Sequence, residues 1–323
     1  MTILQAGINS EKKPVSKLRI PQHDLLGVDM LDANDITTIL DLAEYYVVQN
    51  RRRSLTNVLL KGMVIVNLFL ENSTRTRLSF DMAAKRLGAD VINMSTDGSS
   101  ILKGESLTDT LKTINAMRPD VVIIRHRGEG SAEEAAKLID APVINAGDGT
   151  REHPTQALLD ALTLRRHFGK LDGLHIAIIG DILHSRVAHS NLHLFKKMGV
   201  TQSCIGPREL LPLGVDGTQD LAAGLKGADA VMVLRIQKER LSEKLSFTEE
   251  DYFKTYGLTS ERLSMAKENA VILHPGPMNR GVEIDAALAD DPTRSLITTQ
   301  VEMGVAVRMA CLDLLTRGAR IAC

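Results

Sequence analysis

The chain has 323 residues, 44% hydrophobic and 24% charged, with a formal net charge of −1. That length accommodates two domains, and the composition excludes disordered and fibrous classes. A near-neutral chain offers no overall basic field for nucleic acid or an anionic membrane, so any positive potential has to be local.

Three widely spaced cysteines, Cys204, Cys311 and Cys323, show no metal-ligand pairing and suit a reducing compartment better than a disulfide framework. No apolar run approaches the roughly 20 residues needed to span a bilayer, and residues 1–20 lack the apolar region of a signal peptide. A cytoplasmic α/β protein with no resident metal or cofactor is the resulting expectation.

In chain order, residues 1–20 read as a mobile arm. Asn34 or Asp35 is placed to cap a first helix with Ile36, Ile39, Leu40, Ala43 and Val47 on one face. Arg51-Arg52-Arg53 at its end reads as a solvated, dipole-complementing terminus. The apolar run 64–70 predicts a strand. Behind it Phe80, Ala83, Ala84 and Leu87 recur at helical spacing, and Gly88 supplies a left-handed stop. Between strand and helix stands Glu71-Asn72-Ser73-Thr74-Arg75-Thr76-Arg77. Free N–H groups and the positive end of the macrodipole favour anions at such a helix start, and two arginines add forked donors suited to phosphate or carboxylate. A lone basic residue there is usually a surface charge. Two arginines among three hydroxyls at the end of a buried strand favour a phosphate pocket.

A second strand is expected at 89–94, followed by a hydroxyl- and glycine-rich loop carrying Ser99 and Lys103. Ser106 starts a helix that Pro119 ends. Residues 121–124 form a β-branched strand ending at Arg125-His126-Arg127, and Ser131-Ala-Glu-Glu134 has the pattern of a capping box. A short strand at 142–146 and a Gly147-Asp148-Gly149 turn lead to His153-Pro154-Thr155-Gln156, with proline in the first helical turn. That helix, closed by Gly169, is long enough to bridge two domains.

Strands are next expected at 174–179, 202–205, 230–234 and 270–273. Gly180-Asp181-Ile182-Leu183-His184-Ser185-Arg186, Arg235-Ile236-Gln237 and His274-Pro275-Gly276-Pro277 stand at the strand ends. The charged segment 238–260 reads as a mobile loop of the kind that forms lids. A last helix spans about 299–317. The expected fold is α/β, two doubly wound parallel-sheet domains joined by helices, in which ligands gather outside the carboxyl ends of the strands. Every cluster above lies at such an end.

The loop after the strand 174–179 lacks the glycines of a dinucleotide fingerprint, and the chain has no Walker-type Gly-Lys-Ser or Gly-Lys-Thr. Neither a Gly-x-Ser-x-Gly elbow nor a Cys/His pair suggests covalent catalysis. His153, Lys103, Arg186 and Arg235 each have an ordinary structural reading alone. His153, followed by Pro154 and Gln156 at a helix start near the predicted anion pocket, is better read as a donor to a ligand oxygen, and Glu71 is a candidate to orient Arg186 or Arg235 by a charge-assisted hydrogen bond.

Seven ordered motifs resemble the aspartate/ornithine carbamoyltransferase family, in its aspartate-specific branch, over nearly the whole chain. They are Ser73-Thr-Arg-Thr-Arg77, Lys103-Gly-Glu105, Arg125-His126, His153-Pro-Thr-Gln156, Gly180-Asp181 with Arg186, Arg235-x-Gln237-Lys-Glu-Arg240, and His274-Pro-Gly-Pro277. The resemblance implies an aspartate carbamoyltransferase activity, carbamoyl transfer from carbamoyl phosphate to L-aspartate in pyrimidine biosynthesis. It implies that Ser73, Thr74, Arg75 and Thr76 hold the phosphate and that Thr76, Arg125 and His153 surround the carbonyl oxygen. Gln156 with the carbonyls of Gly276 and Pro277 would orient the carbamoyl amino group, and Arg186, Arg235 and Gln237 would clamp aspartate's carboxylates. Ser99 and Lys103 resemble a loop that enters a neighbouring subunit's site, which implies a homotrimer with shared sites. Regulatory or dihydroorotase-like partner chains stay open as further members of the assembly.

By this resemblance residues 1–155, completed by the C-terminal helix 299–323, bind carbamoyl phosphate, and 156–298 bind aspartate. Gly276 departs from the bulkier apolar residue that many family members carry. Ornithine-specific relatives have a His-Cys-Leu-Pro segment and a Ser-Met-Gly motif, both absent here, which favours a dianionic acceptor. A silent structural paralogue would have lost phosphate or oxyanion donors, and none is missing. A succinylated or acetylated ornithine is disfavoured as acceptor by the two arginines.

Overall fold

A computed structural model describes residues 22–52, 58–95, 104–215, 217–237, 240 and 245–317. The expected N-terminal arm, Ser99 and Lys103 lie outside the described residues. By contact the chain divides into two units, Met1–Leu162 with Glu302–Cys323, and Thr163–Val301.

The first unit is built on four parallel strands, β1 (Val64–Phe69), β2 (Asp90–Ser95), β3 (Val121–His126) and β4 (Val143–Asp148), in the order β2-β1-β3-β4. The central strands are apolar and buried, as expected of a sheet covered on both faces. The helices are α1 (Ala33–Arg52), α2 (Thr74–Arg86), α3 (Leu107–Ala116), α4 (Ser131–Leu138) and the start of α5 (Pro154–Phe168). The last helix of the chain, α11 (Ile297–Leu315), runs into this unit as well. Phe80, Ala83, Ala84 and Leu87 are all buried, so the face expected of α2 is the one that packs. Asn67 on β1 donates to Asn93 on β2 at 2.9 Å, and Asn93 donates to Asp81 on α2 at 3.0 Å. Gly88 ends the segment at φ +91°, a left-handed conformation in which a side chain is strained.

Helix α11 is apolar on nearly all sides, with Met303, Ala306, Val307, Ala310, Cys311 and Leu312 buried. It carries two polar anchors. Asp313 accepts the Tyr46 hydroxyl of α1 at 2.8 Å. Arg308, 4% exposed, donates to the Ser79 hydroxyl of α2 at 2.8 Å and lies over the Phe80 ring at 4.9 Å. Burial pulls the Arg308 guanidinium down to about 10, against the opposing pull of Cys311 and the buried Asp160 of α5. Arg308 thus sits where α2, α5 and α11 meet.

The second unit has the strands β5 (His175–Ile179), β6 (Thr201–Ile205), β7 (Gly217–Thr218), β8 (Ala230–Val233) and β9 (Val271–Leu273), all parallel, in the order β7-β6-β5-β8-β9. Its helices are α6 (Arg186–Lys197), α7 (Leu221–Leu225), α8 (Glu249–Tyr256), α9 (Ser260–Leu263) and α10 (Ala286–Ala289). The two parallel α/β layers match the expected fold class, and the division between units falls inside α5.

Three local expectations are corrected. The segment 238–260 is not a loop throughout, because 249–256 is helical. Thr248 and Asp251 form a reciprocal capping box, and Tyr252 and Tyr256 enter the core around Ile179, Val233 and Ile272. The first helix is capped by Asp32, not by Asn34 or Asp35: Asp32 accepts the Asp35 N–H at 2.8 Å, and Asp35 accepts the Asp32 N–H at 3.2 Å. The capping box expected at Ser131 is absent. Gly130 is the N-cap, at φ +77°, and its N–H donates to Asp148 at 3.0 Å. That contact from β4 draws Ser131 into the first turn of α4.

Thr248→Ala is expected to destabilise α8 by about 1 kcal/mol, the usual loss for a Thr N-cap. Amide exchange over residues 249–256 should accelerate accordingly, and unchanged exchange there would count against the cap.

Candidate active site

Parallel pairing aligns the carboxyl ends of β1, β3 and β4 in the first unit. Phe69 is in register with Arg125, and His126 with Asp148. The segments leaving these three strands therefore lie side by side.

After β1 the chain enters α2 with Ser73 as N-cap. Its backbone is extended and its hydroxyl makes no capping hydrogen bond. The N–H groups of Thr74, Arg75 and Thr76 belong to the first turn, where a helix has no carbonyl to offer them. Thr76 is buried and Arg75 exposed. No acidic residue occupies this turn, and its arginines oppose the macrodipole. A helix start selected for stability alone would carry the opposite sign.

Near the end of β3, Arg125 is 9% exposed and gripped by two acceptors: Nη1 donates to the Ala146 carbonyl at 3.0 Å and Nη2 to Glu71 Oε1 at 3.1 Å. Glu71 thus orients Arg125, the arginine of the neighbouring strand end.

After β4, Asp148 gathers the connecting segments. One carboxylate oxygen accepts from Asn145 Nδ2 at 3.0 Å and from the Glu152 N–H at 3.2 Å, while the other accepts from Gly130. This holds the turn that delivers His153, 4% exposed, to the start of α5, where its carbonyl accepts the Gln156 N–H at 2.9 Å. Pro154 occupies the first helical position, which needs no N–H donor. Gln156 Nε2 donates to the buried Asp160 at 2.9 Å, so the amide is oriented with its nitrogen committed. From sequence, Asp148 read only as part of a turn, and its role was missed. An aspartate between two glycines at a strand end was the available signal.

In the second unit β5, β8 and β9 are neighbours, which aligns the segments beginning at Gly180, Leu234 and His274. Gly180 has φ +131°, and a Cβ there would lie 2.3 Å from the Leu234 carbonyl oxygen. Only glycine permits these two strand ends to approach so closely. Asp181, fully buried, accepts from the His184 N–H at 3.1 Å, faces His184 Nδ1 at 2.9 Å, and accepts the Gln237 N–H at 3.0 Å. Arg235 Nη2 donates to Gln237 Oε1 at 3.2 Å. Arg186, 5% exposed, is the first residue of α6 after the Ser185 cap, again a cation at a helix N-terminus. Gly276 sits at φ +65° in the turn after β9, and the Gly276–Pro277 peptide is cis.

The structure thus brings Ser73, Thr74, Arg75, Thr76, Arg125, His153 and Gln156 to one edge of the first sheet. It brings Arg186, Arg235, Gln237, Gly276 and Pro277 to one edge of the second.

Comparison with known proteins adds an independent observation. Residues 23–166 match the family model described as aspartate/ornithine carbamoyltransferase, carbamoyl-P binding domain, and residues 172–315 match the companion Asp/Orn binding domain. The chain belongs to the aspartate/ornithine carbamoyltransferase family. It is 56% identical over 305 residues to the aspartate carbamoyltransferase catalytic subunit of Rhodospirillum centenum, covering 93% of this chain and 96% of that protein. The catalytic subunit from Granulibacter bethesdensis is 55% identical over 298 residues, covering 91% of this chain and 94% of that one.

Among solved structures, aspartate transcarbamoylase from Trypanosoma cruzi in complex with N-(phosphonacetyl)-L-aspartic acid is 31% identical, with a TM-score of 0.81. The match covers 90% of this chain and 94% of that one. The catalytic subunit of M. jannaschii aspartate transcarbamoylase is 34% identical with a TM-score of 0.80, covering 93% of this chain and 99% of that one. Among the described residues, no helix is long and apolar enough to cross a membrane.

Proposed function

We propose that this chain transfers the carbamoyl group of carbamoyl phosphate to the α-amino group of L-aspartate, giving N-carbamoyl-L-aspartate and phosphate, an early step of pyrimidine biosynthesis. The observation that carries this is the set of anion-binding side chains at adjacent strand ends in each unit, in a chain whose net charge is only −1. Two substrates with about four negative charges between them require such local concentration of donors.

We assign carbamoyl phosphate to the first unit. The phosphate fits the α2 N-terminus, with the Ser73, Thr74 and Thr76 hydroxyls, first-turn N–H groups and Arg75 as donors. Thr76, Arg125 and His153 are placed around the carbonyl oxygen. Glu71 and Ala146 fix the Arg125 fork in advance, which is the preorganisation an oxyanion site needs. Gln156, its nitrogen held by Asp160, presents its oxygen as an acceptor for the carbamoyl NH2. Aspartate is assigned to Arg186, Arg235 and Gln237 of the second unit, where Asp181 fixes the Gln237 backbone.

The neutral amine of aspartate attacks the carbamoyl carbon, and charge gathers on the carbonyl oxygen. The C–O bond to phosphate then breaks, its electron pair leaving on the phosphate oxygen. The amine proton passes to the departing phosphate, so the enzyme's task is to position the reactants and stabilise developing charge.

We also propose a homotrimer in a soluble, cytoplasmic setting, in which Lys103 and Ser99 serve a neighbouring subunit's site. Leu78 and Met82 on α2 and Ile92 on the edge strand β2 are exposed, which supports an apolar subunit contact at this side of the first sheet. Further regulatory or dihydroorotase-like partner chains would add to this trimer.

A bisubstrate assay offering carbamoyl phosphate with aspartate or with ornithine should give turnover with aspartate only, and preference for ornithine would sink the assignment. Arg75→Ala should lower kcat by about 10²–10³, the usual loss of one charge-stabilising donor, with an unchanged circular dichroism spectrum. Wild-type kinetics in that variant would remove the phosphate role. Mixing inactive Arg75→Ala and Lys103→Ala proteins should restore activity after subunit exchange. No recovery despite exchange seen by native mass spectrometry would refute shared sites.

A further inference from the structure

Behind Gln156, within the first unit, a line of charge runs back to the last helix. Gln156 and Asp160 stand four residues apart on α5, hence on one face, and Gln156 Nε2 donates to Asp160 Oδ1 at 2.9 Å. Both are buried, Asp160 fully. Asp160 acts in turn on Arg308 of α11, favouring its charged form against the opposing effect of burial. Cys311 is no counter-charge at neutral pH, because burial pushes its thiol up to about 12. Among the described residues Arg308 donates from Nη1 to the Ser79 hydroxyl at 2.8 Å, while its buried Nε has no partner. Room for the guanidinium comes from Gly304, in the interior of α11, where helices disfavour glycine. A Cβ there would lie 2.6 Å from Arg308 Nη1, 3.2 Å from Leu159 Cδ2 and 3.6 Å from Ser79 Oγ. Helices α2, α5 and α11 thus converge on the guanidinium, α5 through the residue next to Asp160.

A buried cation with one hydroxyl acceptor is a poor choice for stability alone, because desolvation of a charge is offset only by the interactions it makes. Its use follows from what a carboxylate does to an amide. A carboxylate only accepts hydrogen bonds, so the Gln156 nitrogen must face Asp160 and the oxygen must face away. A protonated Asp160 could donate instead, and the amide could then turn over and present its NH2. The Arg308 cation favours the carboxylate by the same attraction with which the carboxylate favours the cation.

We propose that Asp160 and Arg308 are positioning residues that select the carbamoyl group: they hold the Gln156 amide oxygen toward the substrate, where it accepts from NH2 and finds no donor on a methyl group. The inference rests on the assignment of carbamoyl phosphate to the first unit, and every residue it uses belongs to that unit. Asp160 and Arg308 act through Gln156 and need not touch substrate. Carbamoyl and acetyl phosphate have nearly the same shape and differ in that one group. Hydrogen bonding, not size, has to tell them apart.

The test uses the full-length enzyme and compares kcat/KM for carbamoyl phosphate with the inhibition constant of acetyl phosphate. Asp160→Asn keeps the side-chain volume, but the new amide turns its oxygen toward Arg308 and its NH2 toward Gln156, claiming the Gln156 oxygen. It should lower kcat/KM for carbamoyl phosphate by about 10–100-fold and leave the acetyl phosphate constant within about twofold of wild type. Arg308→Met should show the same split, and Arg308→Lys, which restores the cation, should recover most of the loss. Ser79→Ala removes the hydrogen bond but not the charge and should leave both constants near wild type. Parallel changes for both ligands, wild-type constants in Asp160→Asn, or the same split in Ser79→Ala would overturn the proposal.

Neutron diffraction from crystals of the wild-type protein reads the orientation whatever the substrate proves to be, and it does not depend on any variant folding. Deuterons are expected on the Gln156 side-chain atom that faces Asp160, and none on the Asp160 carboxyl. A deuterated carboxyl, or an amide turned the other way, would refute the proposal. Absence of carbamoyl phosphate turnover in the wild type would instead overturn the reading of the site, and with it the selection of substrate, while the orientation result would stand.

Discussion

Parallel pairing in both sheets is the constraint on which the site depends. When every strand runs the same way, every carboxyl end falls on one edge, and the segments that leave those ends crowd together. The segments crowded there carry arginine, histidine, threonine and glutamine in place of the usual capping acids. Two helices, α2 and α6, begin with arginine in the first turn, where the macrodipole disfavours a cation by about 0.3–1 kcal/mol at exposed positions. The fold tolerates that because strand pairing and buried apolar faces hold these helices in place, so their ends are free to serve anions.

A second level of organisation comes from buried carboxylates. Asp148 ends its strand, Asp181 and Glu283 stand beyond theirs, and each accepts from backbone amides of the segments around it. Two of them also face a histidine Nδ1 or Nε2. Backbone N–H groups in irregular segments need acceptors as much as those in ladders do. Supplying them from rigid side chains gives loops the precision of regular elements. The positive groups that would meet substrate are therefore framed by negative ones that do not.

Much of this was legible in the sequence, and most of the exceptions share a cause. The strands, the α2 face and the left-handed Gly88 follow from period, apolarity and turn chemistry, all of them local. The seven motifs announced the strand-end clusters because their residues are contiguous. Apart from the α1 cap, which was misplaced by two or three residues, the failures involve partners distant in sequence. Ser131-Ala-Glu-Glu134 has a capping pattern, but Asp148 claims the Gly130 amide and shifts the cap by one residue. Thr248 and Asp251 did form a capping box, yet the dense charge around them obscured two tyrosines spaced four apart that face the core. Glu283 follows its histidine by nine residues across an irregular turn, a spacing with no periodic signature.

Arg308 places a condition on the order in which the chain can be completed. Its guanidinium joins α11 to Ser79 and Phe80 on the helix that starts at the proposed phosphate site, and Asp313 of α11 secures Tyr46 of the first long helix. These contacts link residues separated by 229 and 267 positions. During synthesis the whole of Thr163–Val301 leaves the ribosome before the part of α11 that carries Arg308 and Asp313 does. The unit that begins the chain is therefore the last to acquire its full set of contacts, while the inserted unit already has all of its own strands. A truncation at the C-terminus strikes the N-terminal half of the molecule.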